Sequence, residues 1–365
     1  MRASQTGVRN SVVLLALPAL LISGIAVPQA PLRAQNATTA AAATDFTFKA
    51  RRQSLRSNGA RLEGDAMIDL PGQMKVEADV IAFDSSPSAR FKEVRARGNV
   101  RFALNLKPSG GGAAAHIEAR AAEATLDPAT RTLVLTGNVS GFYQLPGGPK
   151  NSLTGSRATL KSGEQLQVDI EGGAAGVRIV VPPEAGGNAA ALGTVAITAQ
   201  RVSASGATGR ATFTGNARAV STDGPNKFDV SAPAFVVSRG ASGVIDTLQT
   251  EGRTTVKMDL PPEPVVAGAA PMTSGVGRPT RVEVSADGAT VRRSDNTLIF
   301  EGNVKGFYLL QNAGSAPSRH EFSGDRAIVK FVEEAAASAT NPAGLQVDVT
   351  GKPVSVQVPQ FNLGF

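Results

Sequence analysis

The chain has 365 residues, of which 18% are charged and 5% aromatic, and its 39 glycines and 22 prolines suit many short strands joined by turns better than a helical bundle. It has no cysteine, so there is no disulfide framework, no thiol nucleophile and no lipid-bearing cysteine behind a leader. The net charge of +7 is mildly basic, with no basic run interleaved with aromatics; this argues against a nucleic-acid partner and leaves acidic surfaces or phosphorylated lipids as anionic partners.

Residues 1–37 read as a secretion signal. Arg2 and Arg9 form a positive start, Val12 to Val27 an apolar core interrupted by Pro18 and Gly24, and Ala30, Ala34 or Ala37 offers a small-residue cleavage point. The apolar run is short for a membrane span of about 20 residues. A retained N-terminal membrane anchor is the alternative to a cleaved leader. Residues 38–44 read as a solvated tether.

From Asp45 onward the pattern is strand after strand. One stretch occurs twice: Thr132-Leu133-Val134-Leu135-Thr136-Gly137-Asn138-Val139-Ser140-Gly141-Phe142-Tyr143 returns as Thr297-Leu298-Ile299-Phe300-Glu301-Gly302-Asn303-Val304-Lys305-Gly306-Phe307-Tyr308. Read with period two, Leu133, Leu135, Val139 and Tyr143 share one face against Thr136, Asn138 and Ser140 on the other. The second copy places Leu298, Phe300, Val304 and Tyr308 against Glu301, Asn303 and Lys305. Weaker copies surround Gly64, Gly98 (Val100, Phe102 and Leu104), Gly215 and Gly252 (Val256 and Met258), at intervals of about 35–50 residues within each half of the chain, the range of repeat architectures. The glycine is expected on the apolar face, where the missing side chain admits a bulky neighbour. Arg95, Arg97 and Arg101 read as a solvated outer face, with a lipid-phosphate or docking role as the other reading.

The expected organisation is all-β: two tandem modules of antiparallel strands at 45–183 and 195–365, joined by a Gly- and Ala-rich linker at 184–194. Gly155 to Lys161 and Leu166 to Ile170 close the first module as Phe322 to Lys330 and Leu345 to Val349 close the second. Glu333 to Ala337 could add one helical turn.

Units such as Ala78-Asp79 to Gly98-Asn99-Val100, Ala122-Glu123 to Gly137-Asn138-Val139 and Ala286-Asp287 to Gly302-Asn303-Val304 resemble the OstA-like domain of the LptA-type lipopolysaccharide-transport proteins. The resemblance covers most of 45–365, twice over. It implies two open, V-shaped β-jellyrolls in the periplasm whose apolar interior carries acyl chains of lipopolysaccharide or another glycolipid. It also implies OstA-like domains of inner- and outer-membrane transport proteins as partners. Head-to-tail self-association through edge strands near Phe46-Phe48 and Phe361 to Phe365 is a further expectation. On this reading the lipid-binding residues are Val100, Phe102, Leu104, Leu133, Leu135, Val139 and Tyr143, with Val256, Met258, Leu298, Phe300, Val304 and Tyr308 in the second module.

Catalysis finds little support. His116 and His320 lack a second ligand at metal spacing, no Gly-x-Ser-x-Gly elbow occurs, and Gly110 to Gly112 does not lie between a strand and a helix. No enzyme activity, cofactor or metal is expected. The competing reading is a structural or adhesive repeat protein of the cell envelope, its interior filled by its own side chains. An outer-membrane barrel is opposed by Pro262, Pro264, Pro353 and Pro359.

Overall fold

The computed structural model describes residues 47–56, 58–70, 72, 74–86, 89–106, 115–144, 150–162, 166–182, 194–205, 208–221, 223, 227–239, 245–259, 278–292, 297–311, 317–332 and 344–357. The leader, the tether, Phe46, Gly110 to Gly112, the linker segment 184–193, Glu333 to Ala337 and Phe361 to Phe365 lie outside the described residues.

Alternating side chains produce strands almost throughout, with one 3-10 turn at Gly173–Ala175 among the described residues. β1 (Thr47–Lys49) and β2 (Arg52–Arg56) lie end to end along β3 (Gly59–Leu70) and form the first rung. β4 (Met74–Ser86), β5 (Ala89–Leu106), β6 (Ala115–Asp127), β7 (Thr132–Gln144) and β8 (Lys150–Ser162) follow, each antiparallel to the one before. β9 (Leu166–Glu171) and β10 (Val177–Val181) share the next rung, as do β11 (Val195–Ala199) and β12 (Arg201–Ser205). β13 (Arg210–Ser221) and β14 (Lys227–Arg239) are continuous. β15 (Ile245–Glu251) with β16 (Thr254–Asp259), and β17 (Arg278–Ala286) with β18 (Gly288–Arg292), form two more composite rungs. β19 (Thr297–Gln311), β20 (Ser318–Val332) and the pair β21 (Gly344–Thr350) and β22 (Ser355–Gln357) complete the sheet.

Among the described residues, twenty-two strands, six pairs of them end to end, thus make sixteen rungs of one antiparallel sheet in chain order. Hydrogen bonding does not pause at the expected linker, because β10 pairs with β11 and β9 with β12. Among the described residues β1 and β2 pair only with β3, and β21 and β22 only with β20, so the sheet is open at both ends. At about 4.8 Å per step it is roughly 70 Å from first rung to last.

Every second rung carries an insertion at the same level. The register slips by one residue between Glu63 and Ala66, Arg97 and Val100, Thr136 and Val139, Thr214 and Ala217, and Glu301 and Val304. The residues enclosed are Gly64-Asp65, Gly98-Asn99, Gly137-Asn138, Gly215-Asn216 and Gly302-Asn303, with φ of 73–81° at the glycines and 48–51° at their neighbours. Glycine adopts this left-handed backbone freely, and Asn and Asp tolerate it better than other residues, so the motif reads Gly-Asn for conformational reasons. Gly252, the 3-10 turn with Gly172 and Gly176, and Gly351 mark the remaining three insertions.

This corrects the expectation for the glycine. Gly137 is exposed and backs onto the outward-facing Ala122, whose Cβ would lie 2.6 Å from a Cβ added at 137. The apolar face passes from Leu135 to Val139 because the inserted pair occupies one position of the pleat.

On bulged strands successive inward residues are therefore four apart at this level, as with Leu62 and Ala66 or Ala96 and Val100. On the intervening strands they are three apart, as with Ala78 and Ile81 or Ala121 and Ala124. Both changes turn the pleat along one line, and the sheet folds there like a page. Space inside the crease is small, and the facing pairs are Ala66–Ala78, Val100–Ala121, Val139–Gly155, Ala217–Ala232 and Val304–Gly324. Pro233 sits on the crease in a central rung, where the ladder of β13 and β14 is already interrupted.

The crease divides the sheet into two leaves. The first holds β2, β9, β12, β15, β18 and β21 and the matching halves of the long strands; the second holds β1, β10, β11, β16, β17 and β22. The leaves face each other. Phe48 of the second stacks on Phe83 of the first at 5.4 Å, and β17 approaches β21 although no ladder joins them. One apolar core lies between the leaves.

Candidate functional site

The inner face of the folded sheet is the candidate site. On the first leaf, one inward row runs through Leu62, Ile81, Ala96, Ala124, Leu135, Ala158, Ile170, Val202, Phe213 and Phe235 and continues to Phe300 and Ala327. On the second leaf the corresponding row runs Ile68, Val76, Phe102, Ala119, Gly141, Leu153, Ile179, Ile197, Ala219, Val230, Val256, Val284, Gly306 and Phe322. Each row crosses the expected module boundary without a charged residue.

The residues expected to line the interior divide between the leaves. Leu133, Leu135, Leu298 and Phe300 lie on the first; Val100, Phe102, Leu104, Val139, Tyr143, Val256, Met258, Val304 and Tyr308 lie on the second. All belong to the core between the leaves, with Leu104 and Tyr308 only partly buried toward its margin. Asn138, Asn303, Arg101 and Lys257 are exposed on the other side. Ile179, Ile197, Phe213, Phe235 and Val284 are equally enclosed but lie outside the lipid-binding set expected from the sequence. The alternation in Val177 to Val181 and Val195 to Ala199 carries the same signal without the Gly-Asn marker.

Polar groups interrupt this lining, among them Ser221 on β13 and two clusters. Where Gly252-Arg253 replaces Gly-Asn, Thr250 and Thr254 are buried, and their hydroxyls lie 2.6 Å apart. Thr250 Oγ1 also accepts from the Ala289 N–H at 2.8 Å, so the hydroxyl is satisfied within the core. The second cluster lies at the free margin of the second leaf. There Tyr308 stacks on His320 with centroids 5.0 Å and planes 4° apart, and Ser318 Oγ lies 3.0 Å from His320 Nε2. Burial pushes the Tyr308 phenol above its ordinary pKa. At the matching position of the earlier Gly-Asn stretch Tyr143 faces Asn151. The preceding phenylalanines point outward under a cation: Lys150 Nζ is 4.4 Å from the Phe142 centroid, and the Arg319 guanidinium is 3.6 Å from that of Phe307.

On the outer side, Arg95 pairs with Glu93, and Arg97 reaches Glu123 at 3.5 Å. Arg101 instead faces Arg120 directly across the ladder. His116 is held between Asn105 Oδ1 at 2.7 Å and Glu118 Oε1 at 2.9 Å. Among the described residues no three His, Cys, Asp or Glu side chains come together as a metal site, and no helix is long and apolar enough to cross a membrane. What the arrangement supplies is a long apolar surface enclosed on two sides.

No family model matches the chain, and no curated protein matches it by sequence. Among solved structures, the chain is similar to LptH, the LptA-homologous periplasmic component of the lipopolysaccharide transport device of Pseudomonas aeruginosa. The TM-score is 0.32 at 13% identity, over 38% of this chain and 96% of that one.

Proposed function

We propose that the protein is a periplasmic lipid carrier or bridge, not an enzyme, that shields acyl chains of lipopolysaccharide or a related glycolipid between its two leaves during transport to the outer membrane. The observation that carries this is the largely apolar inner face of an open, folded sheet, which continues across the expected module boundary. Each buried CH₂ of an acyl chain is worth about 0.8 kcal/mol, so a glycolipid crossing water needs such a lane more than it needs a polar site. Among the described residues the ladders that join the leaves run through the strands that cross the crease, and the leaves also meet through side chains such as Phe48 and Phe83. Parting them about the crease would admit chains without breaking a ladder. The sequence resemblance to OstA-like domains points to the same cargo.

The two large exposed apolar side chains among the described residues, Leu55 at 76% and Val354 at 44%, lie at the first and last rungs. Those edges are the proposed contacts with OstA-like domains of membrane partners or with another copy, head to tail. Native mass spectrometry of the protein purified from its own periplasm tests the reading. A retained glycolipid mass is expected, and protein that is lipid-free under all gentle conditions contradicts it.

A second reading has its own observation. Most inner-row side chains are already buried against one another, as in a structural or adhesive repeat protein without cargo. That reading predicts the lipid-free result.

A further inference from the structure

We propose that the outer face of the second leaf docks on an anionic phospholipid surface. Next to the crease, one register row runs Arg101, Arg120, Ser140, Thr154, Arg178, Thr198 and Arg218 across consecutive rungs. Arg218 is held by Asp229 at 2.6 Å, but Arg101, Arg120 and Arg178 make no ion pair among the described residues; Glu77, opposite Arg101 on its other side, is engaged by Lys75 at 2.5 Å. Arg101 and Arg120 stand opposite each other, a like-charge pair that is destabilising in itself and that an anion between or above the two would relieve. The corresponding row of the first leaf is different in kind. There Arg97 meets Glu123 at 3.5 Å, Arg201 meets Glu171 at 2.8 Å and Arg326 meets Glu301 at 3.5 Å.

A second observation concerns the neighbouring outward row of the second leaf. It carries Phe142, then Val180, Ala196 and Val220 on consecutive rungs beyond Ser152, all partly exposed. Lys150 lies over Phe142 at the edge of this stripe. Unpaired arginines and hydroxyls beside a shallow apolar stripe match the phosphates and upper acyl region of a bilayer. A purely electrostatic partner such as nucleic acid would leave the apolar stripe unused. The inference is independent of what lies between the leaves, because every residue in it faces outward.

The chain has no cysteine, so a single one can carry an environment-sensitive dye in the full chain. Thr154→Cys places the dye in the arginine row, and Thr214→Cys places it on the outer face of the first leaf; both positions are exposed. With vesicles of phosphatidylcholine and 30% phosphatidylglycerol, in roughly that proportion, the dye at 154 should shift to the blue and the dye at 214 should not. The shift should vanish in high salt. In the Arg101→Ser, Arg120→Ser, Arg178→Ser background it should need roughly a hundredfold more vesicle, at about fivefold per arginine. The triple change in the first leaf, Arg97→Ser, Arg201→Ser, Arg326→Ser, should leave it unchanged. Equal shifts at both positions, an equal shift with phosphatidylcholine alone, no loss in the Arg101, Arg120, Arg178 variant, or the same response to duplex DNA would each overturn the proposal. Melting curves of all variants show whether any loss reflects unfolding instead.

Discussion

Phe48 and Phe83 stack with ring centroids 5.4 Å apart and planes 21° apart, although they belong to opposite leaves of one sheet. Phe48 is registered on Ile68 and Phe83 on Ala60, eight residues away along β3. A straight strand would separate those levels by roughly 26 Å. The stack therefore exists only because β3 bends at Gly64-Asp65. If so, the rings should be energetically coupled: a double-mutant cycle of Phe48→Ala and Phe83→Ala should give about 0.5–1.5 kcal/mol. Additive losses would show that the leaves do not close at this end.

The crease makes a sharper prediction about Asn303. Its backbone is left-handed, and its Nδ2 donates to Asp287 Oδ2 at 2.6 Å. Asn303→Gly loses only the hydrogen bond, about 1 kcal/mol. Asn303→Ala loses it and adds a strained backbone, a further cost of about 1–2 kcal/mol. Urea denaturation should therefore rank the variants wild type, Gly, Ala; a more stable Ala than Gly variant would contradict the role assigned to the bulge. Gly137→Ala should be worse than Asn303→Gly, since its Cβ has no room beside Ala122.

Much of this architecture could be read from the sequence because burial in a sheet is a period-two signal. Leu133, Leu135, Leu298 and Phe300 were placed on the inner face by alternation alone. The crease was not legible in the same way. Alternation continued through Gly137 puts the glycine inside, and only the paired positive φ of Gly137 and Asn138 shows that two residues share one position. A signal was present in the column of Ala78, Ala121, Ala199, Ala232 and Ala286, small residues that a tight inner corner requires. The insertions at Gly172 to Gly176 and at Gly351 carry no following Asn-Val and so have no signature in the sequence. Arg95, Arg97 and Arg101 are all exposed on the outer face, as the alternation implies; what one dimension does not show is the cross-strand register, which pairs Arg97 with Glu123 but sets Arg101 between Glu77 and Arg120.

Asp127 and Tyr308 each contribute to the pH dependence, Asp127 alongside Glu63 and Asp223, which are also held below the usual carboxylate range. The Thr130 hydroxyl and backbone N–H, with the Ala129 N–H, hold the Asp127 carboxyl below its usual pKa in the β6–β7 turn. A depressed folded value means that its stabilisation is present above the unfolded value of about 3.9 and is lost as pH falls through the folded one. Tyr308 has the opposite sign of shift: its contribution is complete below the unfolded value of about 10 and is lost as pH rises toward the raised folded one. Asp127→Asn should flatten the acid limb of a stability–pH curve, and Tyr308→Phe the alkaline limb. Unchanged limbs would remove both assignments.

Edge exposure predicts assembly. Leu55→Lys on β2 places a charge on the first rung, where it should reduce concentration-dependent association while changing stability by less than about 0.5 kcal/mol. Sedimentation velocity distinguishes this from an edge that takes no part in contacts, for which wild type and variant would sediment alike.

The central claim is that acyl chains lie between the leaves, and site-specific photo-crosslinking in the living cell reads this most directly. Crosslinkers at Phe102, Val139, Met258 and Val304 point into the core, whereas those at Asn138, Lys257 and Asn303 point outward from the same strands. Glycolipid should be captured from the first set and not from the second. Equal capture from both sets, or none from the inner set while the variants remain folded, would contradict a lipid lane and leave a β-sheet filled only by its own side chains.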